Sequence, residues 1–329
     1  MSRAVVIRAF GPPSGFSLEE HDPGVPGPGR VRIAIRAAGI SYVDVLVAAG
    51  LYQLKPTLPF VPGSEFSGVI EAVGEGVDPA RIGERVLGSA FGAAIGEACV
   101  IPAKLALPLP DAMDFVTASV FRVSYATAYH ALVQRARLQP EETVCVLGAG
   151  GAVGYAAIEV AKALGARVIG SASTADKRAL ATRGGADAVI DAASPSWRDD
   201  LKAANAGKPV DVIVDPVGGE ATEPAFRSLA WNGRHLVIGF AGGSIPRLPV
   251  NLALLKGASL IGVDVRQFGD YEHALAEANV QALLALFAQG KLYPPIARTY
   301  PIDDFVAAME EAQRGVTAGR IVITMAAPQ

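Results

Sequence analysis

The residues with the clearest chemistry run from Val144 to Gly154, reading Val-Cys-Val-Leu-Gly-Ala-Gly-Gly-Ala-Val-Gly, and lead into an amphipathic stretch. A short apolar strand that opens through glycines into a helix offers unpaired backbone N–H groups and the positive end of a helix dipole to an anion. Gly150, Gly151, Ala152 and Val153 are the candidate contacts for a dinucleotide pyrophosphate. Gly151 would admit the close approach, and Gly154 would let the helix lie on the sheet. The string departs from a strict G-x-G-x-x-G, because Ala149 stands where the first glycine would fall. A glycine turn that merely joins two elements is the competing reading, but its place after a strand and before a helix favours nucleotide binding.

The kind of nucleotide is read about 20 residues further on, where an acid at the end of the next strand would grip the ribose of NAD. Here the stretch is Ile169-Gly170-Ser171-Ala172-Ser173-Thr174-Ala175-Asp176-Lys177-Arg178. Hydroxyls stand at the strand end and two cations follow, which suits a 2′-phosphate. NADPH, held by Ser171, Ser173 and Lys177, is therefore the expected cofactor. Two plainer readings remain beside it. Ser173 to Asp176 has capping-box spacing, and Lys177 and Arg178 could be ordinary solvated charges.

Such a turn needs a parallel sheet behind it. From Thr143 onward, short apolar strands at 144–147, 167–170, 188–190, 210–214, 235–239 and 259–263 alternate with helical stretches. The helix after the first strand places Val153, Ala157, Val160, Ala161 and Leu164 on one face. This alternation marks a doubly wound sheet. The first 124 residues read instead as short strands, at 5–7, 31–35, 67–70 and 85–87, broken by turns such as Asp22-Pro23-Gly24. That texture suggests a β-barrel. After residue 265 the pattern is mixed: a helix at 280–289, a Tyr-Pro-Pro turn, a helix from Asp303 and a strand at 320–324. The expected architecture is α/β, with a β-barrel domain at 1–124, an inserted nucleotide domain at 125–265 and a return to the first domain at 266–329.

The bulk numbers agree. At 329 residues the chain can build two cores, and its 36 glycines suit many tight turns. A net charge of −3 argues against a grip on nucleic acid. Two cysteines, Cys99 and Cys145, supply neither a disulfide framework nor a cysteine-built zinc lobe. The first residues reach Gly-Pro-Pro before any signal-peptide core, and no apolar run is long enough to span a bilayer. These features read as a cytoplasmic protein without a membrane segment.

Several motifs in order resemble the quinone-oxidoreductase branch of the medium-chain dehydrogenase/reductase superfamily. They are Ala38-Gly39-Ile40-Ser41-Tyr42-Val43-Asp44, Gly50-Leu51-Tyr52, Val61-Pro62-Gly63-Ser64-Glu65-Phe66-Ser67-Gly68, the turn through Gly154, Asp215-Pro216-Val217-Gly218-Gly219, and Leu236-Val237-Ile238-Gly239-Phe240-Ala241. The resemblance implies a GroES-like barrel carrying an inserted Rossmann domain, with the active-site cleft between them. Zinc-dependent relatives carry cysteine, histidine and cysteine where this chain has Ser41, Ser64 and Val123. The histidines at 21, 130, 235 and 273 show no ligand spacing, so no metal is expected.

Without a metal to polarise a simple carbonyl, a quinone or α,β-unsaturated carbonyl is the expected acceptor, because conjugation spreads the incoming charge. Tyr52 resembles the tyrosine with which related enoyl-thioester reductases polarise or protonate the product side; a tyrosine that merely lines the cleft is an equal alternative. Ser41 stands where quinone reductases often have Asn. Thr127 matches a position near the nicotinamide, or is a helix-cap or interior hydroxyl. Val217, Gly218, Ile238, Gly239 and Phe240 would meet the cofactor at strand ends, although Ile238 also reads as plain core. Asp264 and Arg266 form a seam salt bridge or a polar-substrate anchor, and Arg122 stands where relatives often have proline. A 2-alkenal or enoyl-thioester reductase and a non-catalytic NADPH-binding protein remain as alternatives. Relatives pair through the edge of the Rossmann sheet, residues 259–263 here, which implies a homodimer.

Overall fold

The computed structural model describes residues 2–326. The chain forms two compact units: Met1–Val123 with Pro294–Gln329, and Ser124–Tyr293.

The first unit is built on the long strand Arg30–Ile40, which hydrogen-bonds antiparallel to Glu65–Val73, Ala98–Pro102 and Arg320–Thr324. Its alternation turns Val31, Ile33 and Ile35 inward against Phe66, Ile70, Val86, Ile101, Ile321 and Ile323. The strand path runs Ile296–Pro301, Arg320–Thr324, Arg30–Ile40, Glu65–Val73, Arg85–Ser89 and Ala106–Pro108. Ala98–Pro102 pairs with Arg30–Ile40 off this path, which gives the seven strands of the expected GroES-like β domain without requiring a closed barrel. Helices Tyr42–Ala48 and Phe305–Arg314 belong to the same unit.

The second unit holds a six-stranded parallel sheet. Its spatial order is Ala188–Asp191, Arg167–Ala172, Thr143–Leu147, Val210–Asp215, Leu229–Val237 and Ser259–Gly262. In chain order this is 3-2-1-4-5-6, the doubly wound arrangement, with its reversal between Thr143–Leu147 and Val210–Asp215. All six expected strands form. The fifth starts earlier than expected, at Leu229, and stops at Val237, where Ile238 N–H turns to Asp215 O at 2.9 Å.

Two expectations change. The Ala152–Ala163 helix is buried all round from Gly154 to Ala161 rather than along one stripe, because Tyr125 and the π-helical turn His130–Arg135 cover the side away from the sheet. The return expected at residue 266 comes after Tyr293. Helices Val265–Tyr271 and His273–Ala288 stay with the parallel sheet for a visible reason: Gln134 and Asn279 exchange two amide hydrogen bonds, at 2.9 and 3.0 Å, and Phe268 stacks on His130 with centroids 3.9 Å apart.

Candidate functional site

In the second unit the glycine turn is closed by its own backbone, with Gly151 N–H donating to Gly148 O at 2.8 Å and Ala149 N–H to Ser171 O at 3.0 Å. A Cβ on Gly154 would lie 2.2 Å from Gly148 O, so only glycine lets the helix start this close to the strand end. The helix begins at Ala152 with Gly151 as N-cap, and Gly151 has no side chain to cap the first-turn N–H groups. Those groups of Ala152 and Val153 have no intrahelical partner, as the first turn of any helix requires.

Gly150 faces Lys177. A Cβ at position 150 would fall 2.5 Å from Lys177 Cβ, so the lysine stem lies against the turn. Partial burial lowers the Lys177 pKa. The helix carrying it is capped by Thr174, which accepts from Lys177 N–H at 3.2 Å; the cap therefore sits one residue beyond the Ser173 position that the spacing suggested. Ser173 is exposed. Ser171 is buried, and its hydroxyl accepts from the Trp197 indole N–H at 2.9 Å. Arg178 donates to Ala172 O and pairs with Asp191 at 3.2 Å, so its charge is engaged within the sheet's end.

The loop after Val210–Asp215 is organised by Asp215, which the sequence marks only as the first residue of a motif. Buried Asp215 accepts from Val217 N–H, Gly218 N–H and Thr222 Oγ–H at 2.7 to 2.9 Å, and lies 2.9 Å from His235 Nε2. These bonds hold its carboxylate below the usual range despite burial. The next loop is tied on by Ala241 N–H to Pro216 O and Gly242 N–H to Val217 O. Val217, Gly218, Gly239 and Phe240 thus share one loop cluster at the carboxyl ends of the fourth and fifth strands. Ile238 is half-buried beside them, outside the core, and Phe240 is 40% exposed. Thr127 is buried in the Arg122–Tyr129 helix.

A second buried acid lies inside the phosphate-turn helix. Glu159 accepts from Tyr293 N–H at 2.9 Å and from Tyr125 Oη, and burial pushes its pKa up to about 7. A lone acid in the apolar run Tyr155-Ala156-Ala157-Ile158-Glu159-Val160-Ala161 was the available signal. Asp264 is an N-cap, accepting from the N–H groups of Arg266 and Gln267, and Arg266 reaches it only at 3.5 Å on the surface.

In the first unit, Ser41 caps the Tyr42–Ala48 helix in a capping box with Asp44. Asp44 is buried. Its Oδ2 accepts from Ser41 N–H at 2.8 Å and Ser41 Oγ–H at 2.7 Å, and its Oδ1 accepts from Ser64 Oγ–H at 2.8 Å. Burial raises the Asp44 pKa, against the pull of these bonds and of Arg320. Neighbouring Glu65 is also buried and raised to about 7; it accepts from Val123 N–H at 2.8 Å and lies 3.7 Å from Arg320. The guanidinium of Arg122 donates to Leu105 O at 2.9 Å. Tyr52 is half-buried. The structure gathers Ser41 and Ser64 on one carboxylate. The i, i+3 spacing of Ser41 and Asp44 was the legible half of that network; Ser64, 20 residues on, carried no local signal.

This donor set does not suit zinc. Ser41 and Ser64 offer neutral hydroxyls already bonded to Asp44, with no thiolate or imidazole, and no group of three or more His, Cys, Asp or Glu residues able to hold a metal occurs among the described residues.

Residues 27–111 match the family model of the alcohol dehydrogenase GroES-like domain, and residues 152–279 match that of zinc-binding dehydrogenase. The quinone oxidoreductase-like protein 2 homolog of Nematostella vectensis is 35% identical over 98% of this chain and 88% of its own length. A probable oxidoreductase from Mycobacterium abscessus superposes with a TM-score of 0.88 at 32% identity, over 98% of both chains. A mycobacterial protein solved in complex with NADPH gives a TM-score of 0.89 at 26% identity, over 98% of this chain and 100% of that one.

Proposed function

Because the chain belongs to the zinc-independent quinone-oxidoreductase branch of the medium-chain dehydrogenase/reductase superfamily, and is an oxidoreductase of that kind, we propose that it uses NADPH to reduce a quinone or another small conjugated carbonyl. The observation that carries the cofactor half is the lysine laid against the phosphate turn, Lys177 on Gly150. It supports a cation beside the dinucleotide where NAD-binding relatives of the fold place an acid. Gly150, Gly151, Ala152 and Val153 hold the pyrophosphate, Lys177 and exposed Ser173 meet the 2′-phosphate, and Ser171 supports the turn from beneath. Val217, Gly218, Ile238, Gly239, Phe240 and Thr127 form the nicotinamide end.

The bound cofactor supplies the hydride. The protein's residues orient the acceptor, exclude water and stabilise charge on its oxygen. Tyr52 is the group assigned to that oxygen, and Ser41, whose hydroxyl donates to Asp44, acts on it through that carboxyl. The enzyme works in the cytoplasm as a homodimer joined along the Ser259–Gly262 edge strand, where Leu260 is half exposed. No helix among the described residues is long and apolar enough to cross a membrane. Following NADPH oxidation with a panel of quinones, 2-alkenals and enoyl thioesters tests the reading. Turnover confined to enoyl thioesters would move the acceptor to that class, and no oxidation with any of them would leave a nucleotide-binding protein without this activity.

A further inference from the structure

We propose that Asp44 and Ser64 form a proton relay to the substrate oxygen, in which Ser64 gives up its hydroxyl proton and takes a replacement from the Asp44 carboxyl. The inference rests on the reductase reading above. Its starting point is the unequal load on the two carboxylate oxygens. Oδ2 takes two donors from Ser41, its N–H and its hydroxyl, whereas Oδ1 faces the Ser64 hydroxyl at 2.8 Å. A proton on the carboxyl therefore sits on Oδ1.

That proton decides which way Ser64 points. When Asp44 is ionised, the Ser64 hydrogen turns inward to Oδ1 and only lone pairs face outward, which repel the oxygen of a carbonyl. When Oδ1 is protonated, it donates to Ser64 Oγ, and the Ser64 hydrogen is released to donate to a substrate. Asp44 is 4% exposed while Ser41 and Ser64 are both half-buried; Ser41 is tied into the helix cap through its N–H and hydroxyl, so Ser64 is the carboxyl's route outward. Burial raises the Asp44 pKa and so favours the protonated carboxyl. The charged groups facing it from neighbouring strands are Arg320, which opposes protonation, and Glu65, which burial raises to about 7 while Arg320 and Arg122 pull it the other way.

The step balances. The hydride brings two electrons and forms a C–H bond on the conjugated acceptor, whose π electrons shift to oxygen. The new O–H bond forms as Ser64 Oγ–H breaks, and Oγ–H re-forms as Asp44 Oδ1–H breaks. Asp44 is left as a carboxylate and regains one proton from water before the next turnover.

Two measurements on the full-length protein test it. Infrared difference spectra of wild type against Asp44→Asn should show a protonated-carboxyl carbonyl band at neutral pH, shifted in Ser64→Ala where its partner is lost. No such band, or one that Ser64→Ala leaves in place, would overturn the relay without reference to activity. In turnover of a small enone at saturating NADPH, wild-type kcat should fall as pH rises. That limb should vanish in Asp44→Asn, whose amide still donates to Ser64 but cannot pass a proton, and in Ser64→Ala, with kcat about tenfold lower in both and the KM for NADPH unchanged. Glu65→Gln should keep the limb, which separates it from the second buried acid. A limb that survives in both relay variants, or disappears in Glu65→Gln, overturns the relay alone; no NADPH oxidation with any acceptor overturns the reductase reading and the relay with it.

Discussion

Lys177 occupies the space that a side chain on Gly150 would need, its Cβ 2.5 Å and its Cγ 2.7 Å from that position. The lysine is thereby fixed beside the phosphate turn and partly stripped of water, which strengthens its attraction for an anion. NADPH should bind at least about tenfold tighter than NADH, roughly 1.4 kcal/mol. Lys177→Glu should erase the difference. Fluorescence titration of both cofactors decides the matter, and equal affinity in the wild type would count against the assignment.

Tyr52→Phe separates a chemical role from a packing one, because the ring stays and the hydroxyl goes. A donor to the developing oxyanion acts on turnover more than on binding. Quinone turnover should drop by about one order of magnitude, near 1.4 kcal/mol, and enone turnover by more, since charge stays concentrated on one oxygen. Steady-state rates unchanged on both acceptors would leave Tyr52 as cleft lining.

Glu159 should give the protein a pH-dependent stability of unusual sign. Burial lifts its folded pKa to about 7 from an ordinary 4.5, so the folded state binds more protons than the unfolded state between those values. Its contribution is therefore fully present below about pH 4.5 and is lost as pH rises toward 7, by about 3 kcal/mol at most. Urea unfolding of wild type and Glu159→Gln across that window should show the difference between them changing with this slope; parallel curves would refute it.

The Gln134–Asn279 pair should behave as a unit. Gln134→Ala leaves the buried Asn279 amide without its partner and should cost about 1–3 kcal/mol; Asn279→Ala strands only the half-buried Gln134, which keeps His130 at 3.3 Å, and should cost less. The double variant should cost less than the two singles added together, as a double-mutant cycle on denaturant midpoints would record. Additive losses would mean the two amides act independently.

Purified protein should carry no stoichiometric zinc and should keep its activity in a chelator, because the hydroxyls at 41 and 64 are poor zinc ligands. Elemental analysis that found one zinc per chain would overturn this.

What the sequence disclosed follows from the range of the interactions involved. The parallel strands and the phosphate turn were legible because strand–helix alternation and glycine spacing are local patterns. The Rossmann unit's end was not, since Gln134 and Asn279 meet across 145 residues of chain and a mixed hydropathy pattern hides that pairing. Lys177 was readable as a cation near the right strand end, but its seat on Gly150 was not. Ser171 shows the reverse case: its position suggested a phosphate contact, while the tertiary fold laid Trp197 across its hydroxyl. Asp44 and Asp215 were visible only as letters of longer motifs, and Glu159 only as a lone acid in an apolar run, because the Ser64, His235 and Tyr293 groups that hold them lie 20 or more residues away.

Glu159 also bears on how such a chain can be assembled from parts. Tyr125, one residue inside the start of the nucleotide unit, and Tyr293, its final residue, are both held by this one carboxyl. The two ends of a 170-residue stretch therefore meet within the span of a single side chain, counting from Ser124 to Tyr293. A unit whose ends meet can be spliced into a host loop without stretching either partner, as tolerated domain insertions require. Glu159 thus works as the clasp of a transplantable cassette, and grafting the unit elsewhere would have to carry both tyrosines with it.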